Sequence, residues 1–266
     1  SDPRAKFWPA DLHIVGKEIA RFHCVYWPAF LMAAGIELPK CVFAHGWWTV
    51  EGEKMSKSLG NALDPKALVD EFSLDALRFF LMREVPFGGD SNFSRRSMIT
   101  RMNVELANDL GNLAQRSLSQ IAKNLGGVLP ERGVLTEDDQ SILALAQILP
   151  SIMAEQIERK AITEALEEAW KLVRAANSYI DRQAPWALKK TNMDRMADVL
   201  RVLVDLIRTI ATMLQPYMPI TMDKMLTQLG VEEGERSFAA LEVPLPGGRV
   251  LPKPEGLFPR FVEETE

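Results

Sequence analysis

Pro86-Phe87-Gly88-Gly89-Asp90-Ser91-Asn92-Phe93-Ser94 divides this sequence into two textures. From Ser94 onward almost all apolar residues recur with the 3.6-residue period of a helix, while the residues before Pro86 mix short apolar runs with helical patterns. The periodicity predicts helices over about 95–125, 137–158, 160–183, 194–214 and 217–229. Their limits have local causes. Gly126-Gly127 and Pro130 end the first, Thr136 can cap the second, and Pro185, Pro216 and Pro219 interrupt the later ones. Such a succession is a helix bundle. From Gly230 the composition turns to Pro, Gly and Glu, which predicts an irregular tail lying on the body.

Upstream, Leu12, Ile14 and Val15 before Gly16 suit a short buried strand, and a helical pattern runs from Lys17 to Gly35. Pro28 must kink or divide that helix. Cys41–Ala44 and Trp47–Val50 are β-branched and aromatic enough to be strands. Asp64-Pro65 supplies an N-cap and a first-turn proline for a helix over Lys66–Phe72, and a further helix covers Leu74–Glu84. The fold class expected is therefore α/β for residues 1–90, all-α for 91–230 with a tail at 231–266, and mostly α overall.

Composition restricts function more than it assigns it. With 266 residues, 47% hydrophobic and 25% charged, the chain can bury a real core. Two cysteines, Cys24 and Cys41, supply neither a disulfide framework nor a cysteine-rich zinc site, so a reducing cytoplasm and no metal site within the chain are expected. No apolar stretch reaches membrane-spanning length. The net charge of −5 argues against a wholly basic nucleic-acid binder, yet 91–123 is net +3 and 171–201 net +4. Those two segments can form a local face for phosphates, or simply be solvated helix surfaces of mixed sign.

The sharpest feature is Lys54-Met55-Ser56-Lys57-Ser58, followed by Leu59-Gly60-Asn61. At average residue usage this pentapeptide arises by chance in a chain of this length on the order of once in 10⁴ sequences. Two ammonium groups three residues apart, with two hydroxyls, sit on a loop bracketed by Gly52 and Gly60. Such a loop can close over a triphosphate and neutralise charge building on the β- and γ-phosphates as the α-phosphorus is attacked.

Lys54–Ser58 match the KMSKS signature of class I aminoacyl-tRNA synthetases, and further stretches make the chain resemble the methionyl-tRNA synthetase family. These are Trp8-Pro9-Ala10-Asp11, Gly16-Lys17-Glu18-Ile19, Arg21-Phe22-His23, Tyr26-Trp27-Pro28-Ala29, His45-Gly46-Trp47-Trp48-Thr49-Val50 and Gln183-Ala184-Pro185-Trp186. The resemblance spans nearly the whole chain. The family's HIGH motif and the first half of its catalytic domain have no counterpart here, so the chain reads as a C-terminal half. It would comprise the second half of a Rossmann catalytic domain with the connecting region, then an anticodon-binding helix bundle.

The resemblance implies two-step chemistry: methionine is activated by ATP, with Mg²⁺ accompanying the nucleotide, and the acyl group passes to tRNA(Met). Lys54, Ser56, Lys57 and Ser58 would be catalytic. Gly16, Glu18, His45, Gly46, Trp48, Met55 and Lys57 would hold ATP, with Gly16 and Glu18 at the ribose. Many relatives have aspartate at the Glu18 position. Ile19, His23 and Trp27 fall at i, i+4 and i+8 on one helix face, which by residues alone suits a core stripe as well as a pocket; the family places the methionine side chain there. Asn112 and Arg116, four apart, and Trp186 would read the anticodon, since amide and guanidinium groups reach unpaired base edges and an aromatic ring stacks on them.

A monomer is expected by resemblance to short bacterial forms, together with inactivity in the absence of the N-terminal half. Two other readings fit parts of the pattern. One is another class I synthetase, such as the cysteine, leucine, isoleucine or valine enzyme, against which Phe22-His23 and Tyr26-Trp27-Pro28 argue. The other is an RNA-binding module without catalysis.

Overall fold

The computed structural model describes residues 3–55 and 60–262, and its contacts group the chain into two compact units. The first spans residues 1–64 and 84–94; the second spans 65–83 and everything from Arg95.

In the first unit, β1 (His13–Gly16) pairs in parallel with β2 (Val42–His45), in a register that sets Gly16 opposite His45 at the carboxyl ends of both strands. A second small sheet is built on β3 (Trp48–Val50), which pairs antiparallel with β4 (Glu53–Lys54) and parallel with β5 (Ser91–Phe93). The helical run after Gly16 is irregular. A 3₁₀ turn (Lys17–Ile19) and a wide π-type turn (Phe22–Tyr26) precede α1 (Trp27–Ala33). The change from π-type to α geometry falls at Trp27, immediately before Pro28, whose missing N–H interrupts the hydrogen-bond ladder of the run there. Gly35 ends the run with φ of +65°, as a left-handed residue past a helix end should.

The second unit is helical. It holds α2 (Pro65–Phe72), α3 (Leu74–Arg83) and α4 (Arg95–Arg101), then a π-type run (Met102–Gly111) leading into α5 (Asn112–Asn124). It continues with α6 (Glu137–Glu158), α7 (Ile162–Gln183), α8 (Pro185–Leu188), α9 (Met193–Leu214) and α10 (Pro219–Gln228). Helix α9 is the axis of the bundle. From Val199 to Leu214 all of its residues except Thr209 are buried, and α5, α6, α7, α8 and α10 pack around it. Residues 65–83 join this unit because Phe79 and Phe80 of α3 are wholly buried, the Phe79 ring lying tilted at 4.7 Å against the equally buried Trp170 of α7.

One polar network in this interior is fully paired at its centre. Thr136 caps α6 through a reciprocal box with Asp139, and the Asp139 carboxylate also accepts from Tyr179 (2.5 Å) and Arg195 (2.5 and 2.8 Å). Burial pushes the Asp139 carboxyl up, but the Arg195 guanidinium, the Tyr179 hydroxyl and Thr136 outweigh it and hold it well below the usual carboxylate range. The tail is irregular, as its composition indicates, and arginines of α9 hold it. Arg201 donates to the Leu245 carbonyl (2.5 Å) and Arg208 to those of Val243 (2.7 Å) and Ala240 (2.8 Å).

The helices expected over 137–158, 160–183, 194–214 and 217–229 correspond to α6, α7, α9 and α10 within two residues at each end. The single helix expected over 95–125 is continuous but changes its hydrogen-bond pattern in the middle. Strand β5 has no counterpart in the sequence reading. Three residues carry no periodicity, and Ser91–Phe93 is a strand only because β3 lies beside it.

Candidate nucleotide and RNA-reading sites

In the first unit the candidate nucleotide residues gather at the carboxyl ends of β1 and β2, the end of a parallel sheet where ligands bind in open α/β folds. The Glu18 carboxylate folds back over Gly16 so closely that a Cβ on Gly16 would lie 2.5 Å from its Oε1. Its Oε2 accepts from the Trp47 indole N–H at 2.8 Å. Its own backbone N–H and that indole hold the carboxyl below its ordinary range, so at neutral pH it is an anionic acceptor facing bare backbone. Gly46 is buried, and a Cβ there would lie 2.1 Å from the Gly89 carbonyl oxygen, which makes glycine obligatory. His45 Nδ1 lies 2.8 Å from the Gly46 carbonyl oxygen.

Trp48 lies on β3 opposite Ser91. The preceding residue, Trp47, touches the candidate site. Its backbone N–H donates to Asp90 Oδ1 at 2.9 Å, the Lys17 ammonium lies 4.4 Å from its ring centroid, and the Lys54 ammonium lies 5.0 Å from it. Lys17 also donates to both Asp90 oxygens at 2.6 Å, and that ammonium, followed by the Trp47 N–H, keeps the Asp90 carboxyl low. Sequence reasoning missed Lys17, Trp47 and Asp90. The available signals were an adjacent pair of tryptophans and an aspartate directly after Gly88-Gly89. Lys54, the last residue of β4, and Met55 open the lysine loop; Ser56, Lys57 and Ser58 lie outside the described residues.

Ile19, His23 and Trp27 follow one another along the irregular helical run, His23 hydrogen-bonding through Nδ1 to the Ile19 carbonyl oxygen at 3.1 Å. The rings of Trp8, His13, His23 and Trp27 form a chain: Trp8 meets Trp27 edge-on at 6.1 Å and His13 at 6.2 Å, and His13 lies 6.2 Å from His23. Trp8 is fixed by an indole bond to the Glu37 carbonyl (2.8 Å), whereas His13 Nε2 is buried without a hydrogen-bond partner. The cluster is therefore an apolar and aromatic wall with one unused imidazole nitrogen, suited to a flexible, polarisable side chain.

In the second unit, Arg116 of α5 and Trp186 of α8 are brought together. The guanidinium carbon lies 5.1 Å from the indole centroid, while Nη2 donates to Asp181 of α7 at 2.6 Å. Trp186 remains 43% exposed, so its ring is available for stacking, not committed to the core. A cavity of about 250 Å³ adjoins it, lined also by Gln115, Ser119, Gln120, Lys123 and Ile180. Asn112 is exposed at the start of α5, one turn before Arg116. Amides, a cation and a ring around a base-sized hollow form the chemistry by which single-stranded RNA is read.

Residues 4–118 match the family model of class I tRNA synthetases (M), and residues 129–266 match that of the anticodon-binding domain of methionyl-tRNA ligase. The chain belongs to the methionyl-tRNA synthetase family. Among similar members, the methionine-tRNA ligase of Mycobacterium leprae is 50% identical over 260 residues, covering 96% of this chain and 48% of that protein. The ligase of Brucella suis is 49% identical, covering 100% and 52%. The Mycobacterium tuberculosis methionyl-tRNA synthetase in complex with methionyl-adenylate superimposes with a TM-score of 0.94 at 47% identity, over 98% of this chain and 52% of that one. The chain thus spans about half the length of the methionyl-tRNA synthetases it matches. Among the described residues no helix is long and apolar enough to cross a membrane.

Proposed function

We propose that this chain is part of a methionine-tRNA ligase acting in the cytoplasm as a monomer. Residues 1–90 contribute to the catalytic domain, 91–230 bind the anticodon, and 231–266 brace the body. In the first step a methionine carboxylate oxygen attacks the α-phosphorus of ATP, the bond to the β-phosphate breaks, and pyrophosphate leaves with its Mg²⁺. In the second, a hydroxyl of the 3′-terminal ribose of tRNA(Met) attacks the acyl carbonyl and AMP leaves. No side-chain nucleophile is needed. The rate comes from positioning and from cations placed where charge develops.

Gly16 and Glu18 take the ribose hydroxyls; His45, Gly46 and Trp48 lie along the adenine; Lys54, Met55, Ser56, Lys57 and Ser58 close over the phosphates. Ile19, His23 and Trp27 wall the methionine side chain, and Asn112, Arg116 and Trp186 read the anticodon. The N-terminal half of the ligase supplies the opposite wall of the catalytic site. The observation that carries this reading is the placement of Gly16 and the ionised Glu18 at the carboxyl end of a parallel strand pair, with the Glu18 carboxylate folded onto the Gly16 backbone where a side chain would otherwise stand.

Methionine-dependent exchange of pyrophosphate into ATP by the full-length protein is the test. Exchange with methionine and none with leucine, isoleucine, valine or cysteine supports the reading. Tight tRNA binding without exchange returns the chain to an RNA-binding module.

A further inference from the structure

Trp47 is 42% exposed, yet it is held at every polar atom it owns. Its backbone N–H donates to Asp90, its carbonyl accepts from the Ser91 N–H at 2.7 Å, and its indole N–H donates to Glu18. Lys17 and Lys54 both lie within cation–π range of its ring. A tryptophan this exposed contributes little to a core. What its contacts share is position: Glu18 stands at the candidate ribose site, and Lys54 opens the lysine loop.

From these contacts we infer that Trp47 is a positioning residue that couples the two halves of nucleotide recognition. Its indole N–H fixes the direction of the Glu18 carboxylate, and its ring face fixes the Lys54 ammonium at the base of the loop. The second role does not depend on the N–H, so the two are separable by substitution. Phenylalanine keeps a ring face and removes the donor; leucine removes both. Asp90 serves Trp47 in turn, since it anchors the backbone N–H and gathers Lys17 against the same ring.

This inference rests on the ligase reading and refines it. The experiment is methionine-dependent pyrophosphate exchange by the full-length protein, with KM for ATP, KM for methionine and kcat measured separately. Trp47→Phe should raise KM for ATP about tenfold, the cost of one lost hydrogen bond to a charged group, with KM for methionine unmoved and kcat within about twofold. Trp47→Leu should raise KM for ATP similarly and also lower kcat, because Lys54 loses its ring. In a Glu18→Ala background, which removes the acceptor, Trp47→Phe should add less than about twofold to KM for ATP. Melting curves of each variant check that the fold is retained. A parental KM for ATP in Trp47→Phe, or equal losses in the Glu18→Ala background, overturns the coupling while leaving the ligase reading intact. A parent protein without exchange overturns the ligase reading itself.

Discussion

The Arg116 guanidinium lies over the indole of Trp186, 5.1 Å from its centroid, although the two residues come from different helices. Asp181 holds the guanidinium by an ion pair at 2.6 Å, so the cation and ring are arranged in advance of any ligand. Pre-arrangement matters because ordering such a long side chain on binding would itself cost free energy.

Trp186→Ala should weaken tRNA(Met) binding by about 1–3 kcal/mol, the value of one lost base stack. Because Trp186 is 43% exposed and outside the buried core, the melting temperature should change little. Filter binding and a melting curve on the same variant check both statements. An unaltered affinity returns Trp186 to a structural role.

Gly16 and Gly46 make a contrasting pair. The nearest atoms to a Cβ on Gly16 are the movable end of Glu18, so Gly16→Ala should displace that carboxylate and raise KM for ATP about tenfold with the melting temperature near that of the parent. A Cβ on Gly46 meets the backbone of Gly89 and Asp90, which cannot yield cheaply, and Gly46→Ala should destabilise by about 3 kcal/mol. Calorimetry and exchange kinetics on the two variants distinguish the outcomes.

Lys57→Ala should lower the rate of methionine activation by about 10² or more, which one charge contact made in the transition state can supply. Single-turnover measurement of adenylate formation in the full-length protein reads this step alone. A parental rate removes Lys57 from the mechanism.

Glu235 and Arg249 pair at 2.5 and 2.6 Å within the tail, and Arg249 also donates to the Gly230 carbonyl just past α10 at 2.7 Å. The guanidinium brings the Glu235 carboxyl down to about 2 from an ordinary value of 4.5. A carboxyl lowered on folding stabilises the native state above its unfolded pKa and loses that contribution as acid protonates it. Parent and Glu235→Gln should therefore differ by a constant margin above pH 5, and the margin should shrink as pH falls from about 4.5 towards 2. Partial exposure screens the pair, so the margin should be about 2–4 °C in melting temperature, roughly 1 kcal/mol in a chain this size. Melting temperature followed against pH tests the sign.

The sequence by itself determined the parts that local chemistry controls. The 3.6-residue period, the Thr136 cap and the prolines at 185 and 219 delimit the helices, because each acts within a turn or two of the backbone. The KMSKS pattern and its companion stretches determined the family for the same reason: identity and spacing along the chain suffice to see them. Tertiary structure alone decided what depends on distant residues meeting. Ser91–Phe93 is a strand because β3 offers it hydrogen bonds, and residues 65–83 belong with the bundle because Phe79 finds Trp170. Adjacent tryptophans are equivalent in sequence. Trp47 touches Glu18 and Lys54 because it sits in the turn before β3, beside Asp90, while Trp48 is paired with Ser91 of β5.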